Sequence, residues 1–212
     1  MSGARSDEPI QLRRLFRIVS GGTPTSAEEN WNGGVVWVTP EDLGSNLGRD
    51  ISSSRRMLTD AGLRSAASLV SEGSVVLSTR APVGHLAVTG VALAFNQGCK
   101  ALVPIRELDE RFFYYQLLAR RGELQASARG STFVELSAEG LGSFPVLAPS
   151  LGEQRRIADF LDEETRHVDD LIEHKQRLGE LLTERRRAIM TAAVTGELDP
   201  SSYRRPREFE AA

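Results

Sequence analysis

The sequence has little cysteine, no long apolar run and no surplus of positive charge. Cys99 is the single cysteine among 212 residues, which excludes an internal disulfide and a cysteine-rich zinc site and favours a reducing intracellular setting. Apolar stretches are short throughout, and residues 1–9 lack the apolar core of a signal peptide. These absences predict a soluble, cytoplasmic protein with no membrane partner.

Neither sign of charge dominates the chain. There are 26 Lys and Arg residues against 29 Asp and Glu, a formal net charge of -3. This balance argues against a nucleic-acid partner, because proteins that bind DNA usually carry excess positive charge. The average hides a difference, since residues 1–150 carry 15 basic and 15 acidic side chains, whereas residues 151–212 carry 11 and 14. The acidic excess of the chain therefore lies entirely in its C-terminal part.

The chain changes texture near residue 150. Before it, short apolar runs alternate with Gly, Ser, Thr and Pro, and their spacing predicts helices at residues 10–19 and 109–126. Between these helices, Val- and Leu-rich runs bounded by turn residues predict strands, at residues 35–39, 74–78, 85–88, 91–95 and 100–103. The turns at 89–90 and 96–98 suggest an antiparallel meander. We therefore expect an α/β (α+β) domain with a mixed or antiparallel sheet over residues 1–149.

The second part of the chain predicts one long helix over residues 150–196, followed by a tail over residues 197–212. Ser150 and Glu153 have the spacing of a capping box, and Gly196 is a natural stop. Steps of four and three from Ile157 meet apolar residues at eight of eleven positions, a heptad seam. Such a helix is roughly 60 Å long at about 1.5 Å per residue, so we expect it to form a coiled coil with another long helix. The predicted interface residues are Ile157, Leu161, Val168, Leu171, Leu178, Leu182 and Ile189.

Catalytic motifs are missing from the sequence. It contains no Gly-x-Gly-x-x-Gly, no P-loop and no Gly-x-Ser-x-Gly. His167 and His174 share a helix face with Asp170, but histidines beside a heptad seam are far more often surface residues than metal ligands. Cys99 has no histidine partner in view and is interpreted as a buried structural thiol. We therefore expect no catalytic residue and no metal ligand.

Several loops hold residue types that hydrogen-bond to nucleic acid. Arg, Asn and Gln can pair with base edges, and Ser, Thr and backbone amides suit phosphate oxygens. The same residues also build ordinary turns, so any single loop is ambiguous. The residues alone predict a soluble α/β domain on a long helix that binds a polar ligand or simply serves as a scaffold.

The order of these loops resembles a known family. The motifs are GGTPT at 21–25, WVTPEDLG at 37–44, STRAPVG at 78–84, NQGCKALVP at 96–104 and GSTFVELS at 130–137. Together with the run from Phe144 to Gly196, they resemble the specificity subunit of type I restriction-modification systems over roughly residues 12–200.

That resemblance implies a non-catalytic DNA target recognition domain at residues 1–149, followed by a spacer helix that pairs antiparallel with another such helix. It implies double-stranded DNA as a partner, a modification subunit that binds S-adenosylmethionine and methylates adenine, and a restriction subunit that uses ATP. The chain itself would carry no cofactor. A usual specificity subunit holds each motif twice, whereas each occurs once here, so a homodimer or a second half-subunit would complete the reader.

The resemblance also places the DNA contacts in the motif loops. The implied DNA-binding residues are Gly22, Thr23, Trp37, Thr39, Ser78, Thr79, Arg80, Asn96, Gln97, Lys100, Ser131 and Thr132. Arg80 and Lys100 are the strongest candidates, Arg80 because its fork of N–H donors matches guanine and phosphate equally well. Two alternatives stay open: a specificity module of another defence or restriction-modification assembly, and a scaffold that does not bind DNA.

Overall fold

The computed structural model describes residues 8–46, 49–66, 68–128 and 135–198. Two compact units form, Met1–Leu161 and Asp162–Ala212. The first contains mixed α/β sheets, and one long helix follows, which confirms the predicted fold class. The described strands are β1 (Ile10–Gln11), β2 (Phe16–Ser20), β3 (Trp31–Val38), β4 (Asp50–Ile51), β5 (Arg56–Leu58), β6 (Leu69–Val70), β7 (Val75–Ser78), β8 (Leu86–Thr89), β9 (Leu93–Phe95), β10 (Cys99–Pro104) and β11 (Pro145–Val146). The described α-helices are α1 (Pro40–Ser45), α2 (Asp60–Ala66), α3 (Glu110–Ala119), α4 (Arg121–Ser127), α5 (Ala138–Ser143) and α6 (Leu151–Thr195).

The described strands form two main sheets and one short two-stranded ribbon. The larger sheet has the order β2-β10-β7-β8-β4, the smaller has the order β5-β3-β9-β6, and β1 pairs with β11. Strand β3 runs parallel to β9, and β4 runs parallel to β8, while the other neighbours are antiparallel. The smaller sheet is therefore mixed, and the larger sheet is antiparallel except for the parallel pair of β4 and β8 at its edge.

Protein covers the larger sheet on both faces. Along β7, Val75 and Leu77 join a core with Phe113 of α3, whereas Val76 points to the opposite side and joins a second core with Phe95 of the smaller sheet. Alternating side chains of a strand point to opposite faces, so an apolar run is what a strand between two layers requires. This explains why β7 is apolar at consecutive positions instead of alternating ones.

The predicted helix at residues 10–19 is wrong. The segment forms β1, a short 3-10 turn at Leu12–Arg14, and then β2, which pairs antiparallel with β10. The apolar residues have helical spacing because the turn places Leu12 and Leu15 in the core just before Phe16 enters it from the strand. Pairing with β10 supplies the backbone hydrogen bonds that a helix would otherwise provide.

The predicted meander is also wrong. Strands β7 and β8 do form an antiparallel pair, but β9 lies in the smaller sheet, where it pairs with β3 and β6. The chain then returns to the larger sheet with β10, so the turns at 89–90 and 96–98 connect two sheets. The predicted helix at 109–126 is divided in two at Arg120, between α3 and α4.

The long helix occurs where the sequence predicts it. In its first turn, the Glu153 amide donates a hydrogen bond to Ser150 Oγ at 3.4 Å. Ser150 thus accepts as expected for a capping residue. Near this end, the Gln154 side chain accepts a hydrogen bond from the Asp109 amide at 3.0 Å, and Ile157 packs against the core. In the described residues of the second unit, the helix carries a row of exposed apolar side chains. Within the part of the chain that the structure describes, no helix has the length and apolarity to cross a bilayer.

Candidate nucleic-acid interface

An open groove of about 810 Å³ lies on the first unit. Strand β3, helix α1, the segment that leads into β5, and the loops after β7 and β9 bring their residues to it. The lining residues are Trp37, Thr39, Pro40, Glu41, Asp42, Gly44, Ser45, Arg55, Arg56, Ala81, Pro82, His85 and Asn96. Three of the predicted DNA contacts, Trp37, Thr39 and Asn96, therefore line one groove. Those three positions are 59 residues apart at most in the sequence, and the sheet topology brings them together.

The loop at residues 21–25 contacts Trp37, one of the residues that line the groove. Its Gly22 amide donates to the Phe95 carbonyl at 2.9 Å, and the Gly22 carbonyl accepts from the Trp37 indole at 3.1 Å. A Cβ atom at Gly21 would lie 2.1 Å from the Asn96 carbonyl oxygen, so only glycine allows this close approach of two backbones. Thr23 is exposed and donates a hydrogen bond to the Gln97 side chain. The GGTPT motif thus has a structural role in addition to any contact with a ligand, because it connects Trp37 of β3 with the residues at the end of β9.

Thr39 begins helix α1 with a complete capping box. Its hydroxyl donates to Asp42 Oδ2 at 2.6 Å and accepts from the Asp42 amide at 3.3 Å, while the Thr39 amide donates to Asp42 Oδ2 at 2.9 Å. Burial raises the pKa of Asp42, but the hydrogen bonds from Thr39 and Arg55 outweigh it and hold this pKa below its ordinary value. Thr39 therefore shapes the groove by fixing the entry of α1.

Replacing Thr39 by Ala is expected to destabilise the fold by about 1 kcal/mol, because the first turn of α1 loses its capping hydroxyl. Thermal or urea unfolding of the purified chain measures the difference. The matched control is Thr39→Ser, which retains the hydroxyl and should recover most of the lost stability. Equal stability of the Ala and Ser variants would contradict the capping role.

Arg55 is neutralised within the groove. It forms ion pairs with Glu41 at 2.5 Å and with Asp42 at 3.1 Å. The hydrogen bond from Arg55 lowers the pKa of Glu41, and the hydrogen bonds to both carboxylates raise the pKa of Arg55. These three side chains form one ionic cluster at the rim of the groove.

Arg80 and Lys100 meet at one carboxylate. Arg80 Nε lies 3.1 Å from Glu135 Oε2, and Lys100 Nζ lies 3.2 Å from Glu135 Oε1. The Lys100 side chain is 7% exposed, whereas that of Arg80 is 49% exposed. Lys100 therefore neutralises the Glu135 carboxylate from the protein interior, whereas Arg80 keeps donors that face solvent.

Two other predicted contacts, Ser78 and Thr79, lie inside the protein. Ser78 and Thr79 are fully buried; Ser78 Oγ donates to the Pro82 carbonyl at 2.6 Å, and Thr79 Oγ1 donates to the Gly98 carbonyl at 3.2 Å. Asn96 Oδ1 accepts from the Gly98 amide at 2.8 Å. These side chains hold the loops after β7 and β9 in shape. Ser131 and Thr132 lie outside the described residues.

Four acidic and basic residues of the groove are not among the predicted DNA contacts. Glu41 and Asp42 lie within the WVTPEDLG motif, whereas Arg55 and Arg56 lie in a stretch that carries no distinct motif. Arg55 and Arg56 follow three serines, and nothing local indicates that β5 pairs with β3 at Trp37 and Arg56. Only that pairing shows that these charges face the groove.

The heptad positions of α6 differ in their surroundings. Ile157 packs against the core of the first unit, whereas Val168, Leu171, Leu178 and Leu182 are 53 to 59% exposed. Ile189 is 49% exposed. This row of large apolar side chains has no cover within the described chain, a pattern that marks an interaction surface.

Cys99 is fully buried, which agrees with its interpretation as a structural thiol. Burial is the main cause that raises the pKa of its thiol to about 12. Among residues 8–46, 49–66, 68–128 and 135–198, no group of three or more His, Cys, Asp or Glu side chains could hold a metal ion.

Comparison with known proteins gives concordant matches. The family model described as "Type I restriction modification DNA specificity domain" matches residues 8–181. The specificity subunit of the type I restriction enzyme MjaIX from Methanocaldococcus jannaschii is 30% identical over 135 residues, which cover 62% of this chain and 31% of that protein. The specificity subunit of EcoR124I/EcoR124II from Escherichia coli is 28% identical over 144 residues, 64% of this chain and 35% of that protein. The matched segments thus span about a third of the length of these relatives.

Solved structures have the same fold. A chain from a structure described as the basis of complex assembly and conformational transition of the type I R-M system has a TM-score of 0.75 at 25% identity, over 93% of this chain and 48% of that one. The HsdS subunit from Thermoanaerobacter tengcongensis has a TM-score of 0.66 at 24% identity with the same coverage, which bears on the fold alone. On the strength of the family match over residues 8–181, the chain belongs to the type I restriction modification DNA specificity domain family.

Proposed function

We propose that this chain reads one half of a bipartite DNA target for a type I restriction-modification complex. The observation that carries the proposal is the groove, in which loops from both sheets bring Arg, Asn, Asp and Thr side chains to one open surface within a chain of this family. Such side chains suit the donor and acceptor pattern of base edges and phosphates.

The exposed apolar row of α6 supports the proposal that a partner helix joins two recognition domains into one reader of both half-sites. Two such helices packed antiparallel would cover Leu171 and Leu178, and would hold two recognition domains at a fixed separation on the duplex. The length of the helix pair would then set the gap between the two half-sites. A second copy of this chain would read a palindromic split target, whereas a different half-subunit would read an asymmetric one.

The chain is proposed to be non-catalytic and to carry no cofactor. A modification subunit would supply S-adenosylmethionine chemistry, and a restriction subunit would supply ATP-driven cleavage. The neutral charge of residues 1–150 fits this division, because a modification subunit would contribute part of the grip on DNA.

Duplex DNA binding tests the proposal directly. We expect the purified chain, with its modification subunit, to bind a duplex selected from a randomised pool more tightly than a scrambled duplex, and both affinities should fall steeply with salt because phosphate contacts release counterions. Fluorescence anisotropy from 50 to 200 mM salt, about a fourfold change in concentration, measures both. A scaffold that does not bind DNA would give no salt-dependent shift with either duplex.

Arg80 provides a variant for the same assay. Its half-exposed guanidinium is paired on one side with Glu135, so Arg80→Ala should weaken binding and reduce the salt slope by about one counterion. Unchanged affinity for the selected and the scrambled duplex would remove Arg80 from the interface.

A further inference from the structure

We infer that Arg56 is a base-reading residue that recognises a guanine of the target. The inference rests on the proposed function and adds a residue that neither the motifs nor the family match assigns. Its basis is the geometry of Arg56, whose guanidinium lies over two tryptophan rings at the edge of the groove.

The guanidinium is held by stacking. Its Cζ atom lies 3.4 Å from the Trp31 ring centroid and 5.6 Å from that of Trp37. The two indoles pack edge to face, with centroids 5.0 Å apart and an interplanar angle of 80°. A cation over an aromatic face is attracted by the ring quadrupole, and a planar guanidinium stacks there with its own face.

The rings beneath Arg56 are themselves fixed. Trp31 Nε1 donates to the Thr25 carbonyl at 2.9 Å, and Trp37 Nε1 donates to the Gly22 carbonyl at 3.1 Å. Both rings are buried, at 8% and 3% exposure. The loop at residues 21–25 therefore locks the two rings, and the rings orient Arg56 before any ligand arrives.

The charge of Arg56 is uncompensated within the described chain. Neighbouring Arg55 is paired with two carboxylates, Glu41 and Asp42, whereas Arg56 has no ion pair and no side-chain hydrogen bond among the described residues. A distance of 3.4 Å from Cζ to the Trp31 centroid requires the guanidinium to lie face-on, because a nitrogen pointing at the ring would clash with it. The in-plane N–H donors therefore remain available. Two adjacent arginines thus differ in role: one closes an ionic cluster, and the other presents a free fork.

A base edge depends on an oriented fork more strictly than a phosphate does, because a phosphate also accepts single hydrogen bonds from flexible cations. A phosphate contact needs charge within reach, which flexible Lys or Arg side chains also supply. The O6 and N7 acceptors of guanine require two coplanar donors in a set direction, and Arg is the residue that most often meets them. Fixing the plane in advance lowers the entropy lost on binding. We therefore assign Arg56 to a guanine contact.

The test compares the wild-type chain, Arg56→Ala and Arg56→Lys in complex with the modification subunit. Each protein is used to select from a randomised duplex pool, and its affinities for the wild-type consensus duplex and a scrambled duplex are measured. We expect both variants to lose about tenfold or more in affinity for the consensus and to accept other bases at one guanine position, while affinity for the scrambled duplex changes less than about threefold. Lys retains the charge but lacks the planar fork, so it should not rescue the preference.

Two controls distinguish the loss of base recognition from a folding defect and from the loss of one positive charge. Arg64→Ala removes the same charge from an exposed position on α2 outside the groove, and should keep the wild-type consensus. The chain contains two tryptophans, both beneath Arg56, so intrinsic fluorescence reports whether each variant retains this packing. Arg56→Lys keeps an aliphatic cover on the rings if Arg56→Ala perturbs them.

Three results would overturn the inference. Unchanged consensus and affinity in the Arg56 variants would leave the proposed function standing without this residue. Equal losses on the consensus and the scrambled duplex would make Arg56 a phosphate contact. A wild-type chain that enriches no sequence, with its modification subunit present, would overturn the proposed function and this inference together.

Discussion

Replacing Leu171 and Leu178 by glutamate is expected to convert a dimeric chain into a monomer. Both side chains are more than half exposed in a single chain, so the change should leave the first unit folded. In an antiparallel pair of α6 helices the double substitution removes four leucines from the seam. Each buried leucine contributes about 1.5–3 kcal/mol, so we expect the dissociation constant to rise roughly a thousandfold or more.

Sedimentation or light scattering at micromolar concentration measures this change. The matched control is Gln176→Glu with Thr183→Glu, which adds the same two charges away from the heptad seam and should leave the dimer intact. Unfolding curves show whether the first unit keeps its stability in both proteins. A wild-type chain that is already monomeric at these concentrations would rule out self-pairing at that strength and would point to a different half-subunit.

The second large effect is expected at Glu135. Its carboxylate lies between Arg80 and Lys100, and the Lys100 side chain is almost completely buried, with 7% exposed. Replacing Glu135 by Gln leaves the charge of Lys100 buried without its counterion, which costs about 3 kcal/mol of folding free energy. Urea unfolding at neutral pH measures the loss.

The contribution of Glu135 should depend on pH in a defined direction. Burial raises its pKa, but the hydrogen bonds and charges of Lys100 and Arg80 outweigh burial and hold the pKa below the ordinary value of 4.5. A carboxylate with a lowered folded-state pKa stabilises the fold above its unfolded pKa, and this stabilisation disappears as the pH falls through the folded-state value. The stability difference between wild type and Glu135→Gln should therefore be constant near neutral pH and shrink below about pH 4.5.

Two further variants separate the causes at this site. Arg80→Ala should cost less than about 1 kcal/mol, because Arg80 is half exposed and solvent screens its charge. The double variant Glu135→Gln, Lys100→Met removes both charges, and it should be more stable than Glu135→Gln alone. A double variant that is no more stable than Glu135→Gln would show that Lys100 does not depend on Glu135.

The sequence predicted those elements whose signals are local. The cap at Ser150 and the heptad spacing from Ile157 predict α6, which the structure has at Leu151–Thr195. Short runs bounded by turn residues predict β7 and β10 with errors of a residue or so at their ends. Helix and strand periodicity within one segment is enough for such elements, because their own side chains determine them.

Strand pairing between segments distant in the sequence determines the elements for which the sequence-based prediction is wrong. Residues 10–19 have helical spacing, yet β2 forms because β10 offers it a row of backbone partners. The loops at 89–90 and 96–98 resemble hairpin turns, yet they cross between two sheets. A local pattern contains no information on which strand supplies the hydrogen bonds, so these choices depend on tertiary pairing.

The sequence alone determined three features of this protein: the residue types at the candidate interface, the single copy of each motif and the long apolar seam. Only the tertiary structure decided which polar side chains face the groove. It buries Ser78, Thr79 and Lys100 as internal partners and brings Arg56 beside Trp37 through the pairing of β5 with β3. The physical reason is that burial and hydrogen-bond partners, which determine whether a polar side chain is free to bind, depend on contacts between segments that are remote in the chain.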